Sequence, residues 1–429
     1  MSTDAPAAPV APTPRALGLL ALVALVIGAA NGLVFLGFEW LVKHGTDWIW
    51  NDVVDSDDVR WRVIPLAIVL SVAFSVVVRF AGEARWVQPH LDPLGAAQES
   101  EDAPAPTLQA LAAILAIGLA SLLAGAALGP EAPLVAFAAG LGGWIAARAA
   151  PGPAGRLFVL ASAGALLVAF FGSLVSLLIP LALIVQRTKR LPLPAALVVV
   201  LAGLAAWGML WLIQGNDQGF GGIPEATVHA RDYLAAFVLG LIAVGIGVLL
   251  RHFVVRVAEV TVRVDRGAAW WLVAAAFGAG LGVLYLIGGQ TVQFSGGEGS
   301  VMLIARADEY SAWALAGIAL VKLLATSWSL ACGYRGGLVF PSVFVGVAVS
   351  LCVAAFAPSL GGPGIMLGAI IGLLVEMTAP ILGIVVLLAL VPLKLVPVGL
   401  AGGIGAIAGR RAVDWLGSRT RAGGRPNRS

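Results

Sequence analysis

The chain is dominated by apolar runs that are long enough to cross a lipid bilayer as helices. A membrane-spanning helix needs about 20 apolar residues, and such runs follow one another between residues 16 and 409. Only 11% of the 429 residues are charged, whereas soluble proteins carry about 25%. A soluble enzyme and a disordered chain are therefore excluded. The runs are continuous rather than alternating, which also excludes a transmembrane β-barrel. We expect an all-α, polytopic membrane protein.

Landmarks of the sequence recur at one offset and predict an internal repeat. Pro133 and Pro341 are 208 residues apart (341 minus 133). The apolar runs at 156–186 and 364–391, both interrupted by glycine and proline, overlay at the same shift. Interrupted apolar segments in corresponding positions are typical of helices that end inside the membrane. We therefore expect two repeats built from broken helices.

The distribution of charge predicts how the repeats are oriented. An excess of lysine and arginine marks the cytoplasmic side of a membrane protein, and here it places both termini in the cytoplasm. The two repeats then have inverted topology. Five segments follow: a disordered tail at 1–14, a first membrane repeat at 15–213, a connector at 214–231, a second membrane repeat at 232–409 and a basic cytoplasmic tail at 410–429. The expected location is the cell membrane.

Glu131 is the most informative polar residue, because it lies between two apolar runs in the segment Gly129-Pro130-Glu131-Ala132-Pro133. A carboxylate at the centre of a bilayer costs roughly 2.5–3.5 kcal/mol or more. Pro133 suits the first turn of a helix, and helix N-termini attract anions. The Glu131 carboxylate can therefore occupy an anion site itself, and protonation or movement would vacate that site. The alternative is a helix-capping glutamate without a role in transport.

The corresponding segment of the second half is Gly336-Gly337-Leu338-Val339-Phe340-Pro341. Its two glycines expose backbone N–H groups, its proline again suits the start of a helix, and it has no carboxylate at the equivalent point. Two such helix ends that face each other would form a site of amides and dipoles that selects anions. Taken alone, a Gly-Gly pair is also common in the packing of membrane helices.

These two segments carry a resemblance to a known family. The first resembles the Gly-x-Glu-Gly-Pro motif, and the second the Gly-Gly-x-Phe-x-Pro motif, of CLC chloride channels and transporters. The resemblance implies a homodimer with one anion pathway per subunit and Glu131 as the external gating glutamate. Leu338 and Val339 would supply anion-facing amides. The implied anion-binding residues from the two motifs are Gly129, Pro130, Glu131, Ala132, Gly337, Leu338, Val339 and Phe340.

Three features depart from the family pattern. The family's Gly-Ser-Gly-Ile-Pro motif falls on residues 89–93, where His90 replaces the serine. A protonated His90 could bind an anion, and the alternative is a histidine that is merely hydrogen-bonded. Proton-coupled members carry an internal glutamate, and Gln186 stands at that position. The family's C-terminal tyrosine has no match. The missing acid favours passive or uncoupled flux.

We therefore expect a CLC-type anion channel that is gated by Glu131 and moves chloride or another small anion. One alternative is a proton-coupled anion antiporter, in which Glu376 or His90 replaces the missing acid. Another is a CLC-like membrane protein that does not transport. The sequence contains no recognised catalytic motif and no metal-ligand spacing, so we expect no enzyme, no cofactor and no metal site. The expected partners are the anion, the lipid bilayer and a second copy of the chain, and not nucleic acid.

Overall fold

The computed structural model describes residues 14–54, 61–82, 106–149, 153–215, 227–264, 269–358, 362–377 and 391–422. Fourteen α-helices lie in these ranges. In the first half they are α1 (Pro14–Val54), α2 (Val63–Phe80), α3 (Leu108–Leu123), α4 (Glu131–Ala149), α5 (Pro153–Phe171), α6 (Leu178–Thr188) and α7 (Leu193–Gln214). In the second half they are α8 (Ala230–Val264), α9 (Trp270–Gly288), α10 (Gly297–Ala305), α11 (Ala312–Ala331), α12 (Val339–Phe356), α13 (Pro363–Met377) and α14 (Val396–Ala422).

Nine helices in the described part of the chain are long and apolar enough to cross a membrane. Other helices are shorter and end within the bundle, as the broken apolar runs predict. The run at 156–186 breaks at Gly172, whose φ of 62° is in the left-handed region that glycine adopts freely. A 3₁₀ turn at Leu174–Leu177 follows, and α6 begins at Leu178. The prediction of an all-α membrane protein with broken helices is confirmed.

The repeat is visible in the order and packing of the helices. In order along the chain, α1, α2, α3, α4, α5 and α7 correspond to α8, α9, α11, α12, α13 and α14. Helix α1 packs on α7, and its counterpart α8 packs on α14. Both contacts are so close that a Cβ atom would collide with a backbone carbonyl, Gly28 with that of Ala202 and Gly240 with that of Gly402. Small residues allow this approach.

The described helices can be compared with the five predicted segments, but they do not define the segment boundaries. Helix α1 begins at Pro14, and α8 begins at Ala230. Helix α14 continues as far as Ala422, so residues 410–422 are helical. The N-terminal residues 1–13 and most of the connector, residues 216–226, lie outside the described part. The segment boundaries therefore stay predictions.

A buried lysine connects three elements of the second half. The Nζ atom of Lys322 in α11 donates to the carbonyl of Val292, at 3.0 Å, and to that of Phe294. It also lies 5.2 Å from the ring centroid of Phe344 in α12. The side chain is fully buried. Because a buried charge needs compensating partners, these contacts fasten α11 to α12 and to the turn that precedes α10.

Replacing Lys322 by methionine is expected to lower the free energy of unfolding by about 2–3 kcal/mol. Methionine keeps the apolar stem but removes the donor to two carbonyls, and hydrogen bonds of charged groups contribute about 1.5–3 kcal/mol each. Thermal unfolding of the detergent-solubilised protein measures the loss. Lys43→Met, at an exposed position of α1, is the control, with an effect below about 0.5 kcal/mol. An equally small effect at Lys322 would contradict the expectation.

Candidate anion site

The loops that precede α4 and α12 meet through a reciprocal pair of backbone hydrogen bonds. The N–H of Gly129 donates to the carbonyl of Gly337 at 2.9 Å, and the N–H of Gly337 donates to the carbonyl of Gly129 at 2.7 Å. The two residues are 208 apart and pair in an antiparallel manner. Equivalent residues can exchange hydrogen bonds in this way only across a local two-fold axis, so the axis that relates the two halves passes between them.

Each loop is also fixed by a serine from the other half. The Ser329 hydroxyl accepts from the N–H of Ala127 at 3.0 Å, and the Ser121 hydroxyl accepts from the N–H of Arg335 at 2.8 Å. The two donors are 208 residues apart from each other, and so are the two acceptors, so the two hydrogen bonds are equivalent under the repeat. Sequence reasoning missed both serines, although their spacing (329 minus 121) was a usable signal. The two loops therefore have matching backbones that hold each other in place.

Two glycines explain how the chain turns into these loops. Gly125 follows α3 with a φ of 88°, and Gly333 follows α11 with a φ of 82°. Each N–H donates back to the third residue before it, at Leu122 and Leu330. A left-handed residue directly after a helix is a common way to end it, and glycine adopts that conformation without steric cost. The sequence therefore ends both helices at equivalent depth in the bundle.

Glu131 is the first residue of α4, and its side chain reaches across the axis to the other half. Its Oε1 atom accepts from the N–H of Val339 at 3.0 Å and from that of Phe340 at 3.2 Å. Its Oε2 atom is buried and has no hydrogen-bond partner among the described residues. The carboxylate lies against the Cα atoms of Gly129 and Gly337, where any side chain would collide with it.

The N-terminus of α12 faces the Glu131 carboxylate. Helix α12 has 18 residues, and the N-terminus of such a helix carries about half a positive charge. The amides of Val339 and Phe340, rather than those of Leu338 and Val339, donate to the carboxylate in this structure. The residue equivalent to Glu131 is Val339, so only one of the two symmetry-related positions carries an acid. In this structure the Glu131 carboxylate therefore occupies the backbone donors at the start of α12.

The remaining predicted site residues lie at different distances from this centre. Pro130 and Ala132 flank Glu131 and are half-buried. The ring of Phe340 packs against that of Phe170, with 5.3 Å between centroids. Leu338 is buried directly before α12. His90 lies outside the described residues, so its predicted role is not tested.

Glu376 lies elsewhere, near the end of α13, in an ion-pair cluster. Its two carboxylate oxygens are each 2.7 Å from an arginine nitrogen, one from Arg251 in α8 and one from Arg410 in α14. Its side chain is fully buried, whereas the two arginine side chains are 34% and 35% exposed. Sequence reasoning singled out Glu376 as an acid in an apolar run but missed both arginines, because they come from distant parts of the chain.

Two inverted repeats of broken helices, with amides and one carboxylate on their shared axis, define an inverted-repeat membrane transport protein. A family model described as voltage-gated chloride channel matches residues 95–410. The match covers most of the chain, and the protein belongs to this family. It is an anion-transport membrane protein of the CLC type.

Individual relatives and solved structures agree with this assignment. The chain is 27% identical over 384 residues to YfeO of Escherichia coli strain 55989, a protein named for ion transport, with 86% of each chain covered. Its fold is similar to that of a slow cyanobacterial Cl⁻/H⁺ antiporter, with a TM-score of 0.70, 19% identity, and 93% of this chain and 95% of the other covered. It is also similar to a CLC-type fluoride/proton antiporter, with a TM-score of 0.66, 17% identity, and 92% and 96% covered.

Proposed function

We propose that this protein is a CLC-type anion channel in which Glu131 gates the passage of chloride and other small anions. The observation that carries the proposal is the position of the Glu131 carboxylate, which accepts hydrogen bonds from the Val339 and Phe340 amides. A carboxylate and a halide are both monovalent anions that such amides can hold. An ionised Glu131 therefore competes with the transported anion for the same donors.

The geometry supports a simple sequence of events. An anion that enters the membrane loses its hydration water, which costs free energy. Fixed amide dipoles at the start of α12 offset this cost, and they hold the anion less tightly than a full positive charge would. When Glu131 takes up a proton, its carboxyl group loses the charge that the amides stabilise, and it leaves them to the anion. When Glu131 is ionised again, it returns and closes the pathway. The proton acts as a gating ligand and does not need to cross the membrane.

Proton-coupled antiport is the second candidate, and the names of the structural relatives favour it. Two of them are proton antiporters for chloride and for fluoride. Against it stands the ion-pair cluster of Glu376, because each carboxylate oxygen is 2.7 Å from an arginine nitrogen and the side chain joins three helices as a structural partner. Glu376 is therefore a poor replacement for an internal proton carrier in the described part of the chain.

Flux measurements on purified protein in liposomes separate these candidates. The vesicles receive a chloride, fluoride or nitrate gradient, with a potassium ionophore to relieve the membrane potential, and internal anion and pH are recorded together. The channel predicts anion movement without coupled proton movement. Uphill proton movement driven by the anion gradient would overturn the channel and favour antiport. A complete lack of anion flux would favour a CLC-like protein that does not transport.

Replacing Glu376 by glutamine is expected to lower stability without changing the ratio of protons to anions. Removing one member of a buried ion pair costs about 3–5 kcal/mol, and the partial exposure of both arginines reduces this to about 2 kcal/mol. Thermal unfolding and the flux assay measure the two effects. Asp414→Asn removes an exposed carboxylate 3.4 Å from Arg410 and serves as the control. A changed coupling ratio in Glu376→Gln alone would assign Glu376 to proton transport.

We further propose that the protein is a homodimer with one pathway per subunit, and that both termini are cytoplasmic. The basic residues at the ends of α8 and α14 support this orientation. Labelling of single cysteines at 15 and 419 with an impermeant reagent tests it in intact and in opened cells, after Cys332 and Cys352 have been replaced. Chemical cross-linking in the membrane tests the dimer.

A further inference from the structure

A small cavity lies beside the first turns of α12, close to the candidate anion site. Nine residues from α8, α11, α12 and α13 line it. Pro341, Ser342 and Val345 belong to α12, and Leu338 directly precedes that helix. Their spacing of three and four residues places these four side chains along one stripe. The cavity has room for about one water molecule. Leu338 therefore belongs to the wall of this cavity and also directly precedes the amides that contact Glu131.

Ser327 in α11 gives the cavity a free polar group. Its side chain is fully buried, and its hydroxyl has no hydrogen-bond partner among the described residues. The neighbouring Thr326 differs, because its hydroxyl donates to the carbonyl of Ala127 at 3.1 Å. A buried hydroxyl without a partner costs about 1–3 kcal/mol. A hydroxyl left free at a cavity wall indicates a bound group.

In the first half, the positions that correspond to these serines are occupied by apolar side chains. At an offset of 208, Ser327 corresponds to Leu119, Ser342 to Leu134 and Val345 to Phe137. Leu134 and Phe137 are buried, and Leu119 packs against the core. Three larger apolar side chains in one half are thus replaced by two serines and a valine in the other.

The residue that faces the proline also differs between the halves. Gly118 of α3 lies so close to Pro133 of α4 that a Cβ atom would collide with the proline ring. At the same place in the second half, Thr326 stands opposite Pro341, and both line the cavity. The described residues of the first half therefore fill this place with larger apolar side chains and a closer helix contact.

Charged side chains lie on the same helices as the residues that line the cavity. Lys322 lies one turn before Thr326 on α11 and is fully buried. Arg251 directly follows the lining residue Leu250, and with Glu376 and Arg410 it forms a cluster of two positive charges and one negative charge. The exposed Asp414 touches only the outer arginine. The residues that line the cavity include no acidic side chain, so none of them repels an anion.

We propose that this cavity binds one small anion, that the hydroxyls of Ser327 and Ser342 donate to it, and that it is a second anion site beside Glu131. The inference rests on the proposed function, because it takes the cavity to lie on the anion's route. Room for about one water molecule suits an anion of fluoride size, and chloride would have to widen the cavity. The site therefore adds a preference for small, strongly hydrogen-bonding anions.

The test compares Ser327→Ala with the wild type in fluoride titration calorimetry, in liposome flux and in thermal unfolding. Loss of a hydroxyl donor to a charged ligand predicts fluoride binding that is weaker by about tenfold or more, with a similar fall in fluoride flux and a smaller change for chloride. The unfolding temperature should equal or exceed that of the wild type, because an unpartnered hydroxyl is removed. Ser327→Leu, which introduces the residue of the first half, should abolish the fluoride preference.

Ser350→Ala is the matched control, because Ser350 is on the same helix as Ser342 and its hydroxyl already donates to the carbonyl of Gly362 at 3.0 Å. Fluoride binding and flux that are unchanged in Ser327→Ala would show that the cavity holds only water, and the proposed function would stand. A wild type that moves no anion would instead overturn the proposed function. Fluoride titration would then decide about the cavity independently.

Discussion

Replacing Glu131 by glutamine or alanine is expected to give an anion flux that no longer changes with pH. A single titrating carboxyl group changes the open fraction by up to about tenfold per pH unit, and wild-type flux should rise toward low pH with at most this slope. Glutamine resembles the protonated acid, and alanine leaves the Val339 and Phe340 amides to the anion. Both variants should conduct at neutral pH at about the rate that the wild type reaches in acid.

The control for this experiment is another carboxylate at the start of a helix. Glu298 lies in the first turn of α10 and is exposed, so Glu298→Gln should keep the pH response of the wild type. A pH response that survives in both Glu131 variants would remove Glu131 from gating. A variant that unfolds is recognised by its elution in size-exclusion chromatography before flux is measured.

Some parts of this site were predictable from the sequence because they depend on local chemistry and on spacing. Glu131 between apolar runs, the prolines at 133 and 341 and the offset of 208 residues together predict two equivalent helix ends. Glycine and proline have few alternative roles at such positions. The loops, the helix ends and the carboxylate therefore could be placed from residue type alone.

Other parts depend on contacts between distant residues, which hydropathy does not encode. The exchange of hydrogen bonds between Gly129 and Gly337 needs the three-dimensional arrangement of both halves. So does the pairing of Glu376 with Arg251 and Arg410, because the three residues come from three separate helices. The sequence identified the acid as unusual, but only the structure shows that two cations neutralise it. The proton-relay role that the sequence left open for Glu376 stays a prediction, and the coupling ratio of Glu376→Gln tests it.

The cavity beside Ser327 could be predicted from the sequence only in part. Aligning the halves at the offset of 208 residues shows that Leu119 and Leu134 of the first half correspond to Ser327 and Ser342 of the second. The exchange of leucine for serine could be read from the sequence, whereas the resulting space could not. Two smaller side chains can leave a cavity, or the helices can move together and close it. The outcome depends on the hydrogen bond from Thr326 to Ala127 and on Pro341, which lies opposite Thr326.

Replacing Gly337 by alanine is expected to displace the Glu131 side chain and to reproduce much of the effect of Glu131→Ala. A methyl group at residue 337 would collide with the carboxylate of Glu131 and would lie 2.9 Å from its Cβ atom. The end of a glutamate side chain can move, whereas the paired backbone of Gly129 and Gly337 is fixed. Flux at neutral pH should therefore rise, its pH response should weaken, and overpacking should lower the free energy of unfolding by about 1–3 kcal/mol.

The double variant Glu131→Ala/Gly337→Ala separates displacement from general damage. Alanine at 131 removes the colliding atoms, so the second substitution should add little to the flux or to the loss of stability. Such non-additivity is expected only for groups in direct contact. Gly317→Ala in α11 should behave as the wild type, because the added methyl would meet no described residue of another element within 4 Å. Additive effects of the two substitutions, or a Gly337→Ala protein with an unaltered pH response, would mean that the carboxylate does not occupy this position during transport.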